Sequence, residues 1–361
     1  MSVFWEQNQE RLAALAKLSQ AAGNRADYVQ GGGGNTSVKL EDGLMAIKAS
    51  GFRLSDITPQ RACAVLDGAA IREFYLTQEL GQFADVEQAG SDKVKECTRT
   101  VEGLEALRPS VEAGFHSILR TYVLHTHSVY ANLACCAVDC GEIAKAAFAG
   151  ADYTWGMVPY VDPGAKLTFA IRDELRRAEA ETGKVPAVIL MQNHGIIVHD
   201  DDPEQCLAIH ADANARLAAR FGITGDSFPE ISMKELEAGL YEADIPYLRQ
   251  CLSGGGYTER FLLEQPLYPD QMVFLTGSFS MDRDSVEEGQ CVASAETGRV
   301  LMRMDSQKAR VMAETLTAVV FIIEHIRSAG HPLATMGEAA KHFIANWESE
   351  KYRKSLAGKK Q

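Results

Sequence analysis

The residues best placed to do chemistry lie in Thr121 to Tyr130, T-Y-V-L-H-T-H-S-V-Y. Their β-branched and aromatic neighbours predict a short strand over 121–127. Strand side chains two apart share a face, so His125 and His127 project together. Two adjacent imidazoles make half a metal site. An isolated His-x-His more often packs or hydrogen-bonds, so the pair gains meaning from two further stretches, Ser110-Val111-Glu112 upstream and Gln192-Asn193-His194-Gly195 downstream.

A second candidate is Gly31-Gly32-Gly33-Gly34 running into Asn35-Thr36-Ser37. Such a run lets backbone approach a ligand closely and present N–H groups as an anion nest, although glycines alone suit a plain turn. It is not G-x-G-x-x-G, because Thr36 stands where the last glycine is needed, and no G-x-x-x-x-G-K-[ST] loop occurs. Asn35 to Ser37 offer neutral donors at the loop exit. Ala49-Ser50-Gly51 forms another small-residue turn one hairpin later, and the two turns could close on one phosphate. Lys48 beside it reads as an exposed strand lysine that could also reach that phosphate.

The surrounding pattern predicts a strand at 27–30, the glycine turn, a strand at 38–40, a hairpin at 41–43 and a strand at 44–48. Helices are predicted at 4–22, within 97–107, and at 111–119, 128–149, 166–182, 202–221, 306–328 and 336–354. Further strands are predicted near 61–66, at 185–191 continuing into 196–198, and at 272–276 and 300–304; 152–163 reads as irregular. On the 111–119 helix, with Ser110 as N-cap, Glu112 and His116 are four apart and share a face. A glutamate there is otherwise dipole-favoured surface decoration, and His116 reads as a supporting or packing residue. Ser253-Gly254-Gly255-Gly256 has no donor-rich exit and reads as a loop.

The 361 residues allow one large domain or two ordinary ones. Hydrophobic content of 46% and charged content of 24% are those of a globular protein. A net charge of −13 argues against nucleic-acid or anionic-membrane partners, so a phosphorylated ligand would need local donors. The eight cysteines are scattered and the N-terminus shows no apolar signal region, which together predict the cytoplasm. Cys135, Cys136 and Cys140 lack a C-x-x-C pair and lie on an apolar helical run, so they read as buried, inert thiols. No apolar run reaches the ~18 residues of a membrane helix.

In order, G-G-G-N-T-S (32–37), S-G (50–51), P-S-V-E (109–112), H-T-H (125–127) and N-H-G (193–195) resemble the class II aldolase/adducin family. The resemblance spans about residues 1–222. The tail, through Tyr268-Pro269-Asp270 and Asn346–Lys351, resembles the aldolase portion of bifunctional rhamnulose-1-phosphate aldolase/alcohol dehydrogenases, with no dehydrogenase portion in this sequence. The family implies an α/β fold of three α/β/α layers around a mainly antiparallel sheet. The catalytic domain would be 1–222, with a C-terminal α/β extension, 223–361, packing on it. It also implies a divalent metal, zinc foremost with manganese, cobalt and magnesium as alternatives, held by His125, His127 and His194. Glu112 would be the acid/base residue, and Gly34, Asn35, Ser50, Gly51 and Ser110 would bind phosphate. Tyr153 is the candidate for protonating the aldehyde. Val111 stands where sugar aldolases of the family often carry a second serine.

The activity implied is cleavage of a ketose 1-phosphate to dihydroxyacetone phosphate and an aldehyde through a metal-stabilised enediolate. The family's other members imply 4-epimerisation or sugar-acid-phosphate decarboxylation instead, or a non-catalytic adducin-like interaction module. A homo-oligomer, commonly a tetramer, is implied as well.

Overall fold

Along Leu44–Lys48, Met45 and Ile47 turn to one apolar layer while Ala46 turns to the opposite one. That is the period-two signature of a strand buried on both faces. The computed structural model describes residues 3–346. Eight strands make up this sheet: β1 Asn35–Lys39, β2 Leu44–Lys48, β3 Cys63–Asp67, β4 Thr98–Arg99, β5 Tyr122–Thr126, β6 Trp155–Val158, β7 Val188–Met191 and β8 Gly195–Asp200. Their order is β4-β3-β2-β1-β5-β8-β7-β6, antiparallel throughout except for β6 beside β7.

One face packs on Ile71, Tyr75, Phe115 and Phe169, carried by the helices Gly68–Thr77, Ala113–Ile118 and Ala165–Thr182. The other packs on Leu15, Leu18, Leu133 and Leu217 from the helices Val3–Gly23, Val129–Cys135 and Pro203–Arg220. The fold is thus an α/β/α sandwich with a mainly antiparallel sheet. A second sheet follows: β9 Met233–Glu237, β10 Leu240–Ala243, β11 Phe279–Met281, β12 Gln290–Ala293 and β13 Val300–Arg303, in the order β11-β12-β13-β10-β9. The helix Ser306–Ser328 puts Leu316, Val319 and Ile322 into the same apolar layer as Leu133.

Several local expectations change. Residues 27–30 form a turn, closed by Val29 N–H donating to Arg25 O, rather than a strand. The helix expected within 97–107 ends at Cys97, and Thr98–Arg99 joins the sheet edge instead. Residues 128–149 divide into two helices, Val129–Cys135 and Cys140–Ala147. The stretch 152–163 contains β6, whose Gly156 and following Pro159 hide its strand character. Of the strand expected at 272–276, residues 272–275 belong to the helix Pro269–Leu275 and Thr276 caps it; Pro269 at the first turn followed by Asp270 is a helix start that outweighs the apolar run. The final helix is Glu338–Asn346; the rest of the expected 336–354 helix, and residues 347–351 of the tail motif, lie outside the described residues. Among the described residues, no helix is long and apolar enough to cross a membrane.

Candidate metal centre

Strand β5 ends at Thr126 and places His125 on one strand side chain and His127 on the residue just beyond it. The β7–β8 turn brings the third imidazole. Asn193 there adopts φ +52°, a left-handed conformation that asparagine tolerates better than most residues. Its Nδ2 donates to Leu267 O (2.8 Å) and Ala334 O (2.9 Å). Gly195 must lack a side chain, since a Cβ would lie 2.3 Å from Thr126 O of the neighbouring strand. With the two strands that close, His194 faces the β5 pair.

The three imidazoles are buried and each offers one nitrogen within 4.8 Å of the others. His125 Nδ1 donates to Ile196 O at 3.0 Å and His127 Nδ1 donates to Asp270 Oδ2 at 2.5 Å. In neutral rings those bonds leave both Nε2 atoms as lone pairs, and they stand only 3.2 Å apart. Lone pairs so placed want a shared cation. Glu112 Oε1 lies 3.5 Å from both His125 Nε2 and His194 Nε2. The donor set of three imidazoles with a carboxylate alongside therefore suits a divalent ion with positions left for substrate.

Glu112 sits just ahead of the helix Ala113–Ile118, where its backbone N–H donates to Ser110 Oγ at 3.2 Å. Burial pushes its carboxyl up, but against protonated His125 and His194 it is held well below the usual carboxylate range; against neutral rings a bound cation would supply that charge instead. Burial lowers His194 to about 4, so its ring is neutral, as a ligand must be. His116 is buried behind them, its Nδ1 2.8 Å from Ser37 Oγ, and does not join the trio.

The expected phosphate residues gather nearby. Asn35 pairs with His125 across β1 and β5, is buried, and its Oδ1 has no hydrogen-bond partner among the described residues. Gly34 packs at the same point, beside His125 O. Ser50 N–H donates to Arg108 O and Ala49 bridges Pro109, which sets the Ser50-Gly51 turn against the segment carrying Ser110. Lys48 is only 2% exposed, contrary to the exposed position expected. Its ammonium donates to Phe52 O (2.8 Å) and Gly32 O (3.3 Å), tying the two small-residue turns together.

Tyr153 is not brought to the histidines. It precedes β6 at the end of the sheet where β7 begins, opposite the end that carries His194, and its hydroxyl donates to Asp212 Oδ2 at 2.8 Å. Cys135, Cys136 and Cys140 are buried free thiols, and burial pushes the first two well up. Sequence reasoning missed Asp270 and Tyr268 as neighbours of His127, and Glu314, whose Oε2 accepts from Gly31 N–H at 3.0 Å. The Tyr268-Pro269-Asp270 motif was the available signal for the first two.

A mixed α/β sandwich with a buried histidine trio and adjacent carboxylate defines a protein whose residues could hold a divalent ion. Residues 13–218 match the model of the Class II Aldolase and Adducin N-terminal domain, and the chain belongs to that family. No curated protein sequence matches it. Solved structures it is similar to include the N-terminal class II aldolase domain of a conserved protein from Thermoplasma acidophilum (21% identity, covering 57% of this chain and 91% of that one, TM-score 0.46). Others are the L-fuculose 1-phosphate aldolases from Glaciozyma antarctica (12%, 61% and 76%, 0.37) and Thermus thermophilus (14%, 59% and 90%, 0.33).

Proposed function

We propose that this chain is a divalent-metal-dependent aldolase that cleaves a ketose 1-phosphate to dihydroxyacetone phosphate and an aldehyde. The observation that carries the reading is the convergence of His125 Nε2, His127 Nε2 and His194 Nε2 on one point with Glu112 Oε1 beside them. In such a cleavage the bond between the α and β carbons of the ketone breaks. The β-hydroxyl gives up its proton, and the electron pair stays on the α-carbon, conjugated with the carbonyl. A divalent cation supplies electrostatic stabilisation for the negative charge that develops on the ketone oxygen. Glu112, with Oε1 3.5 Å from His125 Nε2 and His194 Nε2 and so beside any cation they hold, is the group to carry a proton between the reacting carbons and solvent. Asn35, Ser50, Ser110 and the backbone at Gly34 and Gly51 hold the phosphate, and the buried Lys48 fixes the two turns that present them. Asn35, Ser110, Glu112 and the three histidines are buried, which keeps water from competing there, while Ser50 is half-buried and Gly51 exposed, the side from which a substrate would enter.

The reading takes 1–222 as the catalytic domain and 223–361 as the extension packed on it, supported by the bonds from Asn193 to Leu267 and Ala334. Zinc is the first metal to try. The narrower resemblance to bifunctional rhamnulose-1-phosphate enzymes makes that ketose the first substrate to assay, and a homotetramer is the assembly to look for in solution. The test is a metal-replete screen of ketose 1-phosphates for released dihydroxyacetone phosphate. Release that chelation abolishes is expected; full activity in metal-free protein would reject the reading. Epimer formation without cleavage, or carbon dioxide from a phosphorylated sugar acid, would move the reaction to the family's epimerases or decarboxylases.

A further inference from the structure

We infer that the C-terminal extension is part of the metal centre itself: Asp270 is a positioning residue that sets the tautomer and orientation of His127 for metal binding. This rests on the metal-centre reading above. Asp270 lies 143 residues from His127 in sequence, yet its Oδ2 is 2.5 Å from His127 Nδ1. The carboxylate accepts the Nδ1 proton, so the lone pair of Nε2 points into the trio. An imidazole whose far nitrogen donates to a carboxylate is both oriented and made a stronger donor toward a cation.

Three other features make the contact a built one. Asp270 occupies the first turn of the helix Pro269–Leu275, fixed there by the proline before it. Tyr268, fully buried, sets its ring edge-on to His127 with centroids 6.3 Å apart, and its hydroxyl donates to Gln30 Oε1 at 3.4 Å. Gly33 has no room for a side chain: a Cβ there would stand 2.4 Å from Asp270 Oδ2 and 2.9 Å from His127 Nδ1. The glycine run thus passes directly over the carboxylate–imidazole contact. Its glycine at 33 serves that contact, whatever its neighbours do for phosphate.

The test uses the full-length protein loaded with cobalt or zinc. Metal release is followed by competition with a chromophoric chelator, and the visible absorption of the cobalt form is recorded. Asp270→Ala is expected to weaken metal binding about 10–100-fold and to change the cobalt spectrum. Asp270→Asn, which keeps an acceptor but not the charge, should fall between Ala and wild type and guards against a variant that fails to fold. Glu314→Gln is the control. It takes the negative charge from another contact between extension and core, Gly31 N–H to Glu314 Oε2, without touching His127, and should leave metal release and spectrum unchanged. Asp270 variants that release metal at the wild-type rate with an unaltered spectrum would overturn the inference while leaving the metal centre standing. A wild-type protein that binds neither metal would overturn both.

Discussion

Two glycine-rich stretches, Gly31–Gly34 and Gly254–Gly256, have nearly the same composition and opposite surroundings. In the first, Gly31 N–H is taken by the buried Glu314, Gly32 O by the Lys48 ammonium, and Gly33 is pressed against Asp270 and His127. In the second, Gly255 and Gly256 have nothing within 4 Å of where a Cβ would be. The first is a place where backbone has been brought as close as it can come to functional side chains; the second simply ends the helix Pro246–Ser253. The difference teaches that a glycine cluster marks a site by what crowds it, and that crowding comes from elements remote in sequence.

The comparison sharpens first at the chemistry the crowded stretch surrounds. Glu112→Gln leaves the shape of the site but removes its proton carrier, and kcat for cleavage should drop about 10²–10⁴-fold in steady-state assays. Gly33→Ala comes next. The added methyl must displace Asp270 or the loop, so denaturant unfolding should show a loss of about 1–3 kcal/mol together with weaker metal retention. Unchanged metal retention there would break the contrast.

A pH series probes two buried histidines, one of them bonded to the strand that carries His125. Burial lowers His199 and His210 to about 3, and His210 Nε2 sits 2.8 Å from the Oγ1 of Thr126, the residue between His125 and His127. In the unfolded chain each would titrate near 6.5, so the unfolded state binds more protons between those values. Their contribution to stability is complete above about pH 6.5 and is lost as pH falls toward 3. Urea midpoints should therefore decline from pH 7 to pH 5, and replacing His210 by Gln should reduce the slope. The smallest effect belongs to the open stretch: Gly256→Ala should change unfolding free energy by less than about 0.5 kcal/mol and leave metal binding alone.

Much of the centre is legible in the sequence because the chemistry of each motif is local. The period of a strand places His125 and His127 together, and Gly195 beside His194 signals the close bend that Thr126 O explains. Ser110-Val111-Glu112 does lead into a helix, but that helix starts at Ala113 with Glu112 rather than Ser110 at its N-cap, because Ser110 Oγ accepts from Glu112 N–H, ahead of the helix's own first N–H groups. What cannot be read is cover. Lys48 alternates like an exposed strand residue, and only the turns at Gly32 and Phe52 folding over it make it buried. Met272–Leu275 looks like a strand when its apolar run is weighed above Pro269 and Asp270, and that weighting conceals the carboxylate reaching His127. Tyr153 has only its position in the chain to recommend it, and the parallel pairing of β6 with β7 sends it to the wrong end of the sheet.

On the reading proposed above, His125, His127 and His194 hold one divalent ion. X-ray absorption on protein loaded with one equivalent of zinc tests it most directly. The expected spectrum shows an inner shell dominated by imidazole nitrogen at about 2.0–2.1 Å, with the multiple-scattering pattern of roughly three rings. A shell of oxygen alone, or sulfur at about 2.3 Å from the cysteines near 135–140, would contradict it.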